Sequence, residues 1–107
     1  MWEGRDDKRV KLLMQWDIRP GYEAAYFEFV VREFAPGLMR LGLQPTDVWY
    51  TVYGDHPQIL AGSIAEDLPT MRRILQSPEW EALLERLFQY VQNFQKKIVP
   101  ARERFQL

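Results

Sequence analysis

Apolar and polar residues alternate from Val10 to Ile18. Val10, Leu12, Met14, Trp16 and Ile18 fall on one side, and Lys11, Leu13, Gln15 and Asp17 on the other. A period of two predicts a strand with one apolar face and one mixed face. Arg19-Pro20-Gly21 ends it. Between about residues 20 and 41 the period changes. Phe27, Val30, Val31, Phe34, Leu38 and Leu41 form the core stripe of a helix, with Tyr22, Tyr26 and Phe29 beside it. That apolar arc is wider than a helix lying on one sheet requires. Pro36-Gly37 should kink the helix late, and Gly42 should stop it.

Alternation returns over residues 46–53, with Val48, Tyr50 and Val52 against Trp49, Thr51 and Tyr53. It continues over residues 58–65, with Leu60, Gly62 and Ile64 against Ile59, Ala61, Ser63 and Ala65. The turn residues Gly54-Asp55-His56-Pro57 between the two runs predict an antiparallel hairpin. Asp67-Leu68-Pro69 opens a short helix over residues 70–76. Ser77-Pro78-Glu79-Trp80 then starts a long one: a cap, a proline at the first helical position and acids in the first turn. Trp80, Leu83, Leu84, Leu87, Val91 and Phe94 recur at intervals of three and four, extending that helix to Phe94. Burying each is worth roughly 1.5–3 kcal/mol. After Phe94, Ile98, Val99, Phe105 and Leu107 fit either a last strand or a continued helix, and Pro100 restricts where a strand could pair. The order is β-α-β-β-α-β, an α+β ferredoxin-like sandwich. Its antiparallel sheet should carry both helices on one face.

Composition narrows the classes. A chain of 107 residues, 47% apolar and 27% charged, suits one globular domain. We expect residues 1–8 to form a flexible arm and residues 9–107 the domain. Aromatics at 14% exceed what a core of this size needs, so some should line a cavity or an interface. A net charge of −1 argues against nucleic acid or an anionic membrane as partner. There is no cysteine and only one histidine, which excludes thiolate chemistry and makes a metal site an unattractive reading. No run reaches membrane-spanning length and no signal peptide is evident, so the expectation is a cytoplasmic protein without cofactor.

Four local features carry a resemblance. They are Leu41-Gly42-Leu43 before an aromatic strand, Trp49-Tyr50-Thr51-Val52-Tyr53-Gly54, Ser77-Pro78-Glu79-Trp80, and Phe94-Gln95-Lys96-Lys97-Ile98-Val99. With them the chain resembles the dimeric α/β-barrel superfamily, the NIPSNAP-like branch first. The antibiotic-biosynthesis-monooxygenase, EthD-like and Dabb families are relatives. The resemblance implies two four-stranded sheets pairing face to face as a homodimer. The sheet face left bare by the helices would hold Asp17 and an interface of Leu13, Gln15, Trp49, Thr51, Tyr53, Ile59, Ala61 and Ser63. A face so apolar is poorly suited to solvent.

Members of that superfamily use combinations of Asn, Trp and His in a pocket between sheet and helices. Here the only Asn is Asn93 and the only His is in a turn, so that set does not transfer. The pocket expected from the residues is walled by Trp16, Tyr22, Tyr26, Phe29 and Tyr50, and suits an apolar or aromatic small molecule. Asp17 and His56 are the candidates for proton transfer. For Asp17 the competing reading is an ion pair with Arg19 or Lys11 of a partner; for His56 it is a solvated turn residue. Glu66 and Asp67 read as helix-capping groups, and Lys96, Lys97, Arg102 and Arg104 as surface charge. The function expected is a homodimer binding a small apolar molecule, as a cofactor-independent oxygenase or isomerase-like enzyme. The alternative is a non-catalytic structural or interaction dimer.

Overall fold

The computed structural model describes residues 7–53 and 56–101, the side chains of 53, 56 and 57 aside. Strands β1 (Val10–Ile18), β2 (Gln44–Tyr53), β3 (His56–Ala65) and β4 (Val91–Pro100) are joined by one hairpin and two helical crossovers. The first crossover is α1 (Glu23–Phe29), a π-helical turn (Val30–Phe34) and α2 (Ala35–Leu41); the second is α3 (Leu68–Leu75) and α4 (Pro78–Leu87). The sheet order is β2-β3-β1-β4, and every neighbouring pair is antiparallel. This is the ferredoxin-like arrangement that the alternating pattern predicts.

Burial along β1 follows the period of two. Leu12, Met14, Trp16 and Ile18 are buried, and the residues between them are half-buried. The buried set packs with Tyr26, Phe29, Phe34 and Leu38 of the first crossover and with Met71, Ile74, Trp80, Leu83 and Leu87 of the second. Both crossovers therefore cover one face of the sheet.

Register decides which residues of β3 join that face, because residues directly opposite in an antiparallel pair share a side. Leu12 faces Ser63, Met14 faces Ala61 and Trp16 faces Ile59. Ile59, Ala61 and Ser63 thus lie on the covered face, which corrects the interface expected for them. Leu60, Gly62 and Ile64, opposite Gln15, Leu13 and Lys11, occupy the bare face instead. Either residue set of β3 is apolar enough to be buried, so alternation alone could not choose. On β2, Trp49 pairs with Leu60 and Thr51 with Gln58, which puts both on the bare face as expected. Tyr53 and His56 pair through their backbones. Their side chains lie outside the described residues, as do Trp2, Gly54, Asp55, Arg102, Arg104, Phe105, Leu107 and most of the expected N-terminal arm.

The long helix ends at Leu87, not at Phe94. Gln89 N–H bonds to Arg86 O and Tyr90 N–H to Leu87 O, and β4 begins at Val91. The reason is a bulge. Gln95 pairs with Gln15 but Gln92 with Asp17, so Asn93 and Phe94 both stand against the single residue Trp16. Asn93 has φ +60°, in the left-handed region. Through the bulge, Val91 and Phe94 both reach the covered face although three residues apart. That spacing mimics a helix.

The irregularity expected at Pro36-Gly37 lies one turn earlier. Ala35 N–H bonds to Val30 O, five residues back, in the π turn. Pro36 has no N–H, and its ring crowds the carbonyl four residues before it, so a widened turn just upstream relieves the clash. The first helix also presents a different stripe from the one expected: Tyr26 and Phe29 are buried, whereas Phe27 and Val31 are exposed. Gly42, at φ +101°, stops the helix, with Leu43 N–H bonded to Leu38 O. A second bulge sits in β2, where Thr46 and Asp47 stand against Gly62. A Cβ on Gly62 would meet Asp47 Oδ1 at 2.9 Å and Thr46 Oγ1 at 3.1 Å, so a larger residue there would displace those side chains.

Candidate functional site

A cavity of about 70 Å³ lies between the first crossover and the covered face of the sheet. The helix supplies Tyr26, Val30, Phe34, Ala35 and Leu38, and the strands supply Trp16, Pro45, Val48, Ile59, Ala61, Gly62 and Ser63. Tyr26, Val30, Phe34 and Leu38 are spaced by four. In a regular α-helix such a series drifts about 40° per step, away from any one line. The π turn takes more residues per turn, and so keeps the series facing the sheet.

Trp16 is the fixed point of the wall. Its Nε1–H donates to Tyr26 Oη at 3.0 Å. Phe34 meets the indole edge-on, with centroids 5.8 Å apart, and Phe94 stacks on it at 5.9 Å and 13° between planes. Burial pushes the Tyr26 phenol up to about 12, against the pull of its hydrogen bond from Trp16. The phenol is therefore protonated at neutral pH; it accepts from the indole and keeps its own proton to donate. Ser63, buried, is the other hydroxyl-bearing residue among those that line it. Val48 forms the rim and is 64% exposed.

Of the five residues expected at a pocket, Trp16 and Tyr26 line this cavity. Tyr22 is exposed and meets Tyr90 edge-on, and Phe29 is buried behind the wall, stacked on Tyr90 at 4.9 Å. Tyr50 lies beyond the rim against Phe27, with centroids 5.8 Å apart. Asp17 is on the opposite face of the sheet, where its carboxylate accepts from Asn93 Nδ2 at 2.8 Å and Gln58 Nε2 at 3.4 Å. The sheet separates it from the cavity, so it cannot act on a molecule bound there. Lys11 reaches Asp47 at 3.9 Å, and Arg19 donates to Phe88 O. The His56 side chain lies outside the described residues. Asp67 caps α3 by accepting from Thr70 N–H at 2.8 Å, and Glu66 accepts from the Thr70 hydroxyl at 3.4 Å. Among the described residues no three His, Asp or Glu side chains gather as metal ligands.

The pairing order and the two-crossover architecture can be compared with solved structures. A NIPSNAP-like domain protein from Burkholderia xenovorans superposes with a TM-score of 0.67 at 21% identity, over 94% of this chain and 92% of that one. The chain has the NIPSNAP-like fold. A NIPSNAP family protein of unknown function from Agrobacterium tumefaciens matches at TM-score 0.65 and 14% identity, over 88% of each chain. SnoaB from Streptomyces nogalater, a cofactor-independent oxygenase, matches in a mutant form at 0.67 and 17%, over 91% of this chain and 96% of that one. No family model matches the chain, and no curated protein does. The NIPSNAP-like fold thus agrees with the resemblance read from the sequence.

Sequence reasoning placed Val30, Phe34 and Leu38 in the core but did not connect them to Tyr26 as one wall. A run spaced by four over twelve residues drifts about 120° around a regular α-helix, and it faces the sheet more squarely where a residue is inserted. Ser63 and Ala61 join the lining because the pairing with β1, and not the alternation within β3, sets the face they occupy.

Proposed function

We propose that this NIPSNAP-like domain binds a small apolar molecule in the cavity between its first crossover and its sheet, and that it does so as a homodimer. The observation that carries the reading is the lining itself: an almost wholly apolar chamber, one wall of which is fixed by the Trp16–Tyr26 hydrogen bond. Such a site holds an apolar body chiefly by shape and burial, with the hydroxyl-bearing Tyr26 and Ser63 in its wall. Among the described residues its lining includes no carboxylate, imidazole or ammonium. Tyr26 is a donor, not a base, at neutral pH. The geometry therefore favours binding and orientation over acid–base catalysis. The likeness in fold to SnoaB makes oxygenation without a cofactor the conversion to assay on any ligand found. In that case the ligand itself would have to release the proton and supply the electrons.

Size sets the ligand class. An engineered apolar cavity of about 150 Å³ takes benzene, and this one is about half as large. Xenon fits directly, whereas a ring needs the rim at Val48 and Pro45 to yield. The test is xenon and benzene titration followed by NMR of the Tyr26, Val30 and Ala61 signals. Saturable shifts at those residues support the reading; shifts scattered over the surface, or none, overturn it. The homodimer is supported by the bare face, where Leu13, Leu60 and Trp49 lie together and Trp49 is 49% exposed. Sedimentation at micromolar concentration should give a dimer, and Leu60→Arg should give a monomer, since burying an unpaired charge costs several kcal/mol. A wild-type protein that sediments as a folded monomer removes the dimer from the proposal.

A further inference from the structure

We infer that Asn93 and Asp17 are positioning residues for the cavity: together they hold the β4 bulge that keeps Phe94 stacked on Trp16. The inference rests on the cavity being a binding site, and it concerns how that site is kept in shape from the far side of the sheet.

Asn93 is the only non-glycine with positive φ among the described residues. A bulge residue in the left-handed region is normally glycine, and asparagine is among the few side chains that tolerate it. If backbone conformation were all that mattered here, glycine would adopt it with less strain. What asparagine adds is a carboxamide, and that group is engaged: Nδ2 donates to Asp17 Oδ2 at 2.8 Å. The other oxygen of Asp17 accepts from Gln58 Nε2 at 3.4 Å. Asp17 belongs to the central strand β1, Gln58 to β3 and Asn93 to β4, so one carboxylate ties three adjacent strands on the bare face. The residue before it in β1 is Trp16.

The bulge has a definite consequence on the covered face. Its lower end is fixed where Val91 pairs with Ile18 and Arg19 N–H bonds to Tyr90 O at 2.8 Å. Its upper end is fixed where Gln95 pairs with Gln15 and, further on, Ala101 N–H bonds to Arg9 O. If the bulge closed from the lower end, Asn93 would stand against Trp16, and Phe94 would turn to the bare face, because a one-residue slip reverses every side chain beyond it. The stack on the indole would be lost, and with it the ring that lies parallel to the indole plane. The Asn93–Asp17 bond opposes that slip by holding the extra residue outward.

The Trp16 indole N–H resonance, assigned through Trp16→Phe, reads this directly, because Phe94 stacked on the ring displaces it. Asn93→Gly and Asp17→Ala should each move the resonance toward its position in Phe94→Leu, and should weaken benzene binding about tenfold. Asp17→Asn, which still offers Asn93 an acceptor, should restore both. If Asp17→Ala does not fold, Asn93→Gly carries the test, since it relieves backbone strain. An indole resonance unmoved in Asn93→Gly and Asp17→Ala overturns the inference even if benzene binds as proposed. If the wild-type protein binds neither xenon nor benzene, the cavity reading fails, while the indole resonance still decides whether the pair holds the bulge.

Discussion

The two crossovers span the same sheet and do it differently. The second is regular. Asp67 caps α3; Ser77 caps α4, accepting from Trp80 N–H at 3.2 Å, and a proline stands in the first turn of each. Its Met71, Ile74, Trp80, Leu83 and Leu87 are all buried. The first begins at Tyr22 without a side-chain cap, passes through a π turn, and leaves Phe27 and Val31 in solvent. The cavity lies under the first. A capped helix of regular period closes onto its sheet, whereas a helix with an inserted residue keeps one line of side chains aimed inward at the expense of close packing. The apolar cavity against Trp16 thus lies under the irregular crossover, while the regular one seats Met71, Ile74, Trp80, Leu83 and Leu87 in the core.

Substitutions can break that division. The largest effect expected is from Trp80→Ala, which should cost about 3–5 kcal/mol by urea unfolding, as for truncating a buried Trp. Val31→Ala in the first crossover should change stability by less than about 0.5 kcal/mol. Comparable losses at the two positions would end the contrast. Ser77→Ala should cost about 1 kcal/mol by removing the cap of α4, read as a shift in the same urea midpoint. Ala61→Val, which adds two methyl groups to the cavity, should move stability by less than about 1 kcal/mol in either direction, yet abolish xenon binding. Unchanged xenon shifts in that variant would mean the free space is elsewhere.

The smallest signal expected is in alkali. The folded pKa of Tyr26 is raised from 10.0 to about 12 by burial, so the folded state holds that proton more tightly than the unfolded chain does. Its contribution is complete below pH 10 and is lost as the pH rises from 10 to 12. The urea midpoint of the wild-type protein should fall over that window, and Tyr26→Phe should flatten the fall.

The fold could be read from the sequence because β1 keeps one face apolar throughout, from Val10 to Ile18, and because turn residues separate two extended, β-prone runs in the hairpin. Two errors came from positions where period is ambiguous. Val91 and Phe94 are three apart, which fits a helix as well as it fits a strand with one extra residue, and only the pairing of Gln92 and Gln95 separates the two. In β3, Ile59 against Leu60 offers no contrast in polarity, so the partner strand chooses the face. The cavity was half legible: Trp16 and Tyr26 were named from their aromatic surplus, while Ser63 and Ala61 depended on that undecided phase. The aromatic residues Tyr22 and Tyr50 look equivalent to Tyr26 in sequence, and packing separates them: Tyr22 precedes α1 and meets Tyr90, and Tyr50 meets Phe27 beyond the rim.

The bulges also bear on what each edge of the sheet offers to another chain. On β4 the edge carries Lys96, Lys97 and Pro100 with a bulge at Asn93, which are devices that discourage a stray strand from adding on. On β2 the guard is confined to one end, at Pro45 and the bulge of Thr46 and Asp47. Beyond it run Trp49, Tyr50, Thr51 and Val52, exposed and uncharged, on the strand that stands at the edge of the four-stranded sheet among the described residues. An edge of that kind is a template for β-addition. If the protein aggregates when it is heated or damaged, this half of β2 is where the fibre should begin, and Val52→Lys, at an exposed position facing away from the bare face, should slow it.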